Sequence, residues 1–385
     1  MSPRFLRSSL VLIGSLLWAA TWARNESGRL QVGPGRELTT LAQAAEVASE
    51  GELIEVDAGE YFGDTAVWTQ KNLRLVAVGG RVRLNAGGQA AEGKALWVVR
   101  AEGLQVRGFD FIGTRVPDRN GAGIRLERGS LLVEDCLFIA NENGIMTSND
   151  PTLELEVRDS EFAYNGAGDG LSHHLYAGAI ARLTVRGSYF HHANVGHLLK
   201  SRAQLNDIRY NRLTDEVGGR ASYELNLPNG GLAYVIGNLI QQSASTENPT
   251  LVSYGEEGYR WPRNELYLIN NTLVDQRRSG GSLLRVAPGN TQVTAANNLL
   301  AGLQPLDAAA SGNFRNNTVI VSAELVSPGS GDYRLRRHSR LRGTAVQVPP
   351  QDGVVLMPEG EYSHPHHWIP LKGPARQPGA LQATE

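Results

Sequence analysis

Short runs of alternating apolar and polar residues recur along most of this chain, and a period of two marks strands rather than helices. One eight-residue form is clearest: an apolar alternation, a small residue or Asn, then a large apolar residue. It occurs at Leu104–Phe111, Leu131–Phe138, Leu155–Phe162 and Leu183–Phe190. Weaker copies are Asn206–Leu213, Ala233–Ile240, Leu266–Leu273, Val293–Leu300 and Gly312–Val319. Successive copies start roughly 19 to 33 residues apart, which is solenoid spacing. Further short strands lie between them, at Gly123–Leu126, Gly144–Met146, His174–Tyr176, His197–Lys200 and Tyr223–Leu225. The strict Leu and Asn grammar of a leucine-rich repeat is absent.

Each such coil has an apolar row that it cannot bury alone. Stacking coils about 4.8 Å apart buries the row and pairs the backbone from coil to coil. The expectation is therefore an all-β, right-handed parallel β-helix over residues 24–320. Asn238, Asn270-Asn271, Asn297-Asn298 and Asn316-Asn317 recur at one place in the repeat. They are expected to stack as turn ladders, since Asn tolerates the left-handed backbone and its amide bonds along the stack. Solenoid ends need caps. Leu38–Ala48 has helical spacing and suits the first coil. The repeat fades after about Val321, and the prolines of 321–385 predict an irregular cap or tail. His364 and the pair His366-His367 lie there; without convergent carboxylates or cysteines they do not read as a metal site.

Composition narrows the class. The net charge of −2 argues against a nucleic-acid binder or a polybasic membrane surface. Arg4 and Arg7, the apolar run Leu10–Ala20 and the small-residue site Thr21-Trp22-Ala23 read as a signal peptide over residues 1–23. The expected location is secreted or periplasmic, with no membrane span after cleavage, and the expected state is a monomer. Cys136 is the single cysteine, so no internal disulfide is available. In its apolar strand it reads as a small buried hydrophobe, not a nucleophile.

Five of the nine histidines fall between His173 and His197. The same coils carry Tyr176, Lys200, Arg202, Arg220, Tyr223 and Glu224. With Leu175, Leu199 and Tyr223 or Leu225 facing inward, Tyr176, Lys200 and Glu224 are expected to form one outward column on adjacent coils. His174, Ser222, Arg202 and Asn226 would flank it. His191-His192 reads as a surface turn, and His197 as an inward residue bonded to backbone. A Lys200–Glu224 pair alone would be an ordinary surface salt bridge. The face of a β-helix is a long shallow groove suited to an extended polymer. The aromatics Tyr176, Tyr223, Tyr254, Tyr259 and Trp261 offer surfaces for sugar rings. Lys, Tyr, His and Arg are also the types that β-elimination of a uronic acid needs: a cation for the carboxylate, a base for the α-proton and an acid for the leaving oxygen.

The opening, Val32 to Ala45 with Gly51 to Tyr61, resembles the entry to pectate-lyase-like β-helix proteins. Lys200-Ser201, then Asn206–Leu213, then Gly230–Ile240 with Gly237-Asn238, is similar to the alginate lyase and chondroitinase B family segment that carries a catalytic lysine. That resemblance implies a base role for Lys200. Two positions depart from it. The family's acidic calcium ligands, five and seven residues before the lysine, are replaced by Val195 and Ala193, so no calcium is expected there. The coil that should carry the family's arginine reads Tyr223 to Gly230 and has none. The block His173–Gly258 also resembles exported bacterial β-helix proteins of no assigned chemistry.

The reading is an exported protein acting on an acidic polysaccharide, with no cofactor. Its expected reaction is lyase cleavage of a uronic-acid polymer. Lys200, Tyr176, Arg202, His174 and Tyr223 are the catalytic candidates. His173, His197, Arg220, Glu224, Asn226 and Tyr254 are the substrate-binding candidates. Rival readings are a non-catalytic carbohydrate-binding or envelope protein and a uronate epimerase. A polygalacturonase-like hydrolase lacks its paired aspartates. Lys200 is left with two roles: base if Arg202 is its nearer neighbour, carboxylate partner if Glu224 is.

Overall fold

The computed structural model describes residues 28–302, 306 and 311–382. The segment read as a signal peptide lies outside the described residues. The chain winds into an all-β, right-handed parallel β-helix of about ten turns. A typical coil has three strands. Coil residues 154–177 supply Glu154–Arg158 on the back face, Glu161–Ala163 on the side face and Ser172–Ala177 on the front face. The front face is a sheet of nine parallel strands running from Ala66–Trp68 to Ser282–Val286.

The interior is built of rows, one residue per coil. Phe111, Phe138, Phe162 and Phe190 stack with ring centroids 4.8, 4.8 and 4.5 Å apart and planes almost parallel. Trp68 and Trp97 are fully buried in the early coils. Cys136 is buried as expected, and burial pushes its thiol up to about 12.

The turn between back and side faces carries two columns. The inner one is Cys136, Ser160, Ser188, Asn211, Asn238, Asn271, Asn298 and Asn317. From Ser160 on, each side-chain oxygen accepts the backbone N–H of the residue one coil earlier, at 2.8–3.2 Å. The expected Asn ladder is therefore real, and it extends back through two serines. The outer column includes Asp135, Asp159, Gly187, Tyr210, Gly237, Asn270, Asn297 and Asn316, all at positive φ. In each Asn pair the first residue takes the left-handed turn and the second enters the ladder, so the pair solves both demands at once.

The first coil is plugged by a short helix, Leu41–Val47, with a Thr40–Gln43 capping box. Leu41 and Ala44 are its buried residues. After the last repeat strand, Thr318–Val319, the chain is not a loose tail. It returns along the outer turn column. Asn316 and Asn297 donate to the Thr344 and Val346 carbonyls, Tyr210 Oη accepts from Glu359 N, and Asn270 donates to the Gln377 carbonyl. A hairpin, Gly360–Ser363 with His367–Pro370, lays Trp368 on the Tyr210 ring. His366, at its turn, sits 3.8 Å from the Asp135 carboxylate and 3.4 Å from that of Glu161. These carboxylates raise its imidazole to about 9. The His364–His366–His367 group is thus a docking contact of the tail.

Two outcomes are expected. Asn238→Ala leaves the buried Asn211 N–H without its acceptor and should lower stability by about 1–3 kcal/mol. Chemical denaturation would show a lower midpoint at unchanged slope. His366 binds its proton more tightly folded than unfolded, so its contribution is complete below about pH 6.5 and is lost as pH rises through about 9. The protection of amides in residues 359–370, taken relative to their intrinsic exchange rate at each pH, should fall over that range in the native protein, and should be low and constant there in His366→Gln.

Candidate functional site

Strand pairing sets a column on the front face: Arg125, Met146, Tyr176, Lys200, Asn226, Ser253, Arg285. Tyr176 and Lys200 hold the expected adjacent places. Glu224 does not hold the third. Lys200 pairs with Asn226, 26 residues on, where Tyr176 and Lys200 are 24 apart, so this coil is two residues longer, one of them inserted at a register shift between Gly196 and His197. Glu224 falls opposite the buried Leu198 and is itself fully buried. A second row stacks beside the column. His173 lies 4.8 Å from His197, and His197 lies 5.2 Å from Tyr223, ring centre to ring centre. His197 is therefore a stacked member of this row, not an inward residue bonded to backbone, and Tyr223 takes the same row.

Two carboxylates that sequence reasoning missed complete the site. Gly255-Glu256-Glu257-Gly258 turns tightly after the strand Thr250–Tyr254, with Gly258 N donating to the Gly255 carbonyl and both glycines at positive φ. Glu256 accepts from Tyr223 Oη at 3.0 Å, Ser253 Oγ at 2.6 Å and Asn226 Nδ2. Glu257 meets Arg202 through both oxygens, at 2.5 and 2.9 Å, and Lys200 Nζ at 3.2 Å. Arg202 also donates to Tyr176 Oη at 3.0 Å and to Asn229 Oδ1 at 2.6 Å. Trp261 Nε1 donates to the Arg202 carbonyl. The available signal was an acidic pair between two glycines, one coil past the cluster.

The electrostatics follow from these contacts. The Arg202 hydrogen bonds hold Glu257 at about 2. Partial burial works against the charge of Arg202, yet its bonds to Glu257 and Tyr176 keep it above its ordinary value. Burial, reinforced by Lys200, drops His197 to about 3; burial and His197 push His173 well below its usual range. Both imidazoles are neutral at pH 7 and weak as bases. The buried Nδ1 atoms of His173 and His197, and Oδ1 of Asn226, have no hydrogen-bond partner in the protein. They are polar atoms with no exposed surface, left without a partner beneath the face.

Four other candidates, His174, Arg220, Tyr254 and Glu224, lie elsewhere, as does His191. His174 is fully buried, bonded to Asn165 Nδ2 and the His191 carbonyl, with burial lowering it to about 3. Arg220, just before the strand Ala221–Leu227, pairs with Glu247. Tyr254 is buried and donates to the Gly231 carbonyl. His191 is buried between Tyr189 and Glu161 instead of lying in a surface turn. Glu224 sits by Asp215, whose Oδ2 accepts from Ala221 N, Ser243 Oγ and Thr246 Oγ1. Among the described residues no group of three or more His, Cys, Asp or Glu is arranged to hold a metal.

No family model matches the sequence, and no curated protein matches it. Among solved structures, pectate lyase Pel9A superposes over 84% of this chain and 94% of its own, at 12% identity and a TM-score of 0.51. The fold is that of the pectate-lyase-like β-helices. The polysaccharide lyase Pedsa3628 of the PL6 family, from Pseudopedobacter saltans, aligns at 13% identity over 77% of this chain and 94% of its own, with a TM-score of 0.32. The PL6 family alginate lyase AlyGC aligns at 15% identity over 76% and 51%, with a TM-score of 0.25. At 12% identity the likeness to Pel9A establishes architecture alone and leaves the chemistry to the site.

Burial lifts the Asp215 carboxyl to about 6, and burial with the Asp215 charge lifts Glu224 well above its ordinary value. The folded state therefore keeps protons that the unfolded state releases. That stability is present below about pH 4 and is lost as pH rises through about 6. Glu224→Gln removes one buried charge at equal volume. It should raise the melting temperature at pH 8 and flatten the loss of stability between pH 5 and pH 8, as read by calorimetry.

Proposed function

We propose that this protein is an exported polysaccharide lyase that cleaves a uronic-acid-containing polymer by β-elimination. The observation that carries the reading is the clamp: Arg202 and Lys200 hold one carboxylate between them, beside the Tyr176 hydroxyl, on an open strand face. A guanidinium and an ammonium on a uronate carboxylate withdraw charge from it and make the proton on the adjacent carbon acidic. In the reaction that proton leaves, the C–O bond at the next carbon breaks, a carbon–carbon double bond forms, and the departing oxygen takes up a proton.

Of the two roles left for Lys200, the geometry favours the carboxylate partner, since its ammonium donates to Glu257. Tyr176 is the proton-transferring group nearest the clamp. Tyr223, held by Glu256, is a second phenol on the neighbouring coil. His173 and His197, stacked and neutral, form a ring-bearing floor with Tyr223. Tyr176, Lys200 and Tyr223, the partly exposed members of the face, replace the buried Glu224 and Tyr254 and the remote Arg220 as the surface for sugar. A nine-strand face matches an extended polymer better than a small molecule.

The test is incubation with a panel of acidic polysaccharides, watching the ultraviolet absorbance of an unsaturated product. Absorbance that rises with one polymer supports the lyase. Binding with no such product supports the carbohydrate-binding or epimerase reading. Lys200→Ala should lower turnover by about 10²–10³-fold with the fold intact. Lys200→Arg should keep much of the activity, because it keeps the charge. Loss in Lys200→Arg equal to that in Lys200→Ala would restore the base role to Lys200.

A further inference from the structure

Glu257 stands in the clamp without being needed to build it. The turn that carries Glu257 is fixed by its backbone: Glu257 N donates to the Pro228 carbonyl at 2.9 Å, and Arg260 N donates to the Asn229 carbonyl. Tyrosines on both sides anchor it, Tyr254 through the Gly231 carbonyl and Tyr259 through that of Ala287. Arg202 is likewise aimed by groups other than Glu257, namely Asn229 and Tyr176. The Glu257 side chain is 39% exposed, against 17% for Arg202 and 13% for Lys200. Rotation about its own side-chain bonds moves the carboxylate into solvent with the backbone unmoved. What it leaves behind is a two-pronged guanidinium with an ammonium beside it, the donor set that a free carboxylate takes.

We infer that Glu257 is an internal occupant of the carboxylate subsite, which a uronate of the substrate must displace. This rests on the carboxylate-clamp reading above and adds to it a determinant of affinity. A site filled by its own side chain is competent only for the fraction of time the side chain is out, and apparent affinity falls by that fraction. Occupancy of about nine-tenths weakens binding about tenfold. The same device favours chains of uronates over a single one. A polymer that also lies on the His173–His197–Tyr223 row meets the clamp at a high effective concentration, which a lone acid does not.

Equilibrium binding of polygalacturonate and of alginate to the whole protein, wild type and Glu257→Gln, tests this. The amide keeps the size of the side chain and removes its charge. Binding of at least one polymer should tighten about tenfold in Glu257→Gln. Glu257→Asp, one methylene shorter and unable to reach both cations as well, should fall between. Equal or weaker binding in Glu257→Gln would overturn the inference and make Glu257 a structural partner of the clamp. Failure of both polymers to bind either protein would overturn it too, with the clamp reading. Tighter binding in Glu257→Gln with no unsaturated product from either protein would uphold the inference and sink the lyase. Turnover by the wild type with no gain in Glu257→Gln would do the reverse.

Discussion

Each coil of this solenoid has hydrogen bonds and an apolar row that only the next coil can satisfy, and that single constraint orders the rest of the molecule. Parallel strands must meet in register about 4.8 Å apart, so a residue that suits one coil suits the same place in the next. The stacked phenylalanines are one outcome, and the Ser and Asn ladder another. The front-face column obeys the same rule with polar residues: the pairing that places Leu175 on Leu199 also places Tyr176 on Lys200. A row of ionisable groups is in this sense a by-product of stacking, and the fold needs no separate device to assemble it.

The site lies where the rule is locally broken. A coil two residues longer than the one before it hands the column to Asn226 and sets Glu224 opposite the buried Leu198. There it joins Asp215 in a buried pair whose carboxyls are both raised by burial, that of Glu224 also by the Asp215 charge. Apolar side chains at those places would stack as the rest do. The buried, proton-holding pair lies beneath the front-face strand, and polar exceptions of this kind gather near functional surfaces. On the outside the exception is answered by the acidic turn Glu256-Glu257, which returns two charges to the face and leaves the two cations paired.

The left-handed turn column does a second job. Its residues point away from the ladder, and the C-terminal segment docks on them through backbone carbonyls and Trp368. The tail thus covers one edge of the solenoid, opposite in kind to the open front face. It is held in part by His366 between Asp135 and Glu161.

The sequence alone determined the architecture, because the signals involved are local and repeated. Period-two alternation, the spacing of the Phe and Asn positions and the helix-like opening all act within one coil or between neighbours. The front-face cluster was legible for the same reason, down to Tyr176 above Lys200. What only the tertiary structure decided depends on register and on returns of the chain. Equal spacing along the sequence does not reveal that one coil is two residues longer than the last, so Glu224 looked like the third member of the column and Asn226 like its flank. His174 and Tyr254 looked available because alternation does not say which neighbours close over a side chain. Glu256 and Glu257, a coil further on, belong to the site only because two glycines fold their turn back onto it. The tail looked irregular because its partners are far away in sequence: Asn270, Tyr210 and Asp135 are its template, and no local pattern records a contact made across more than a hundred residues.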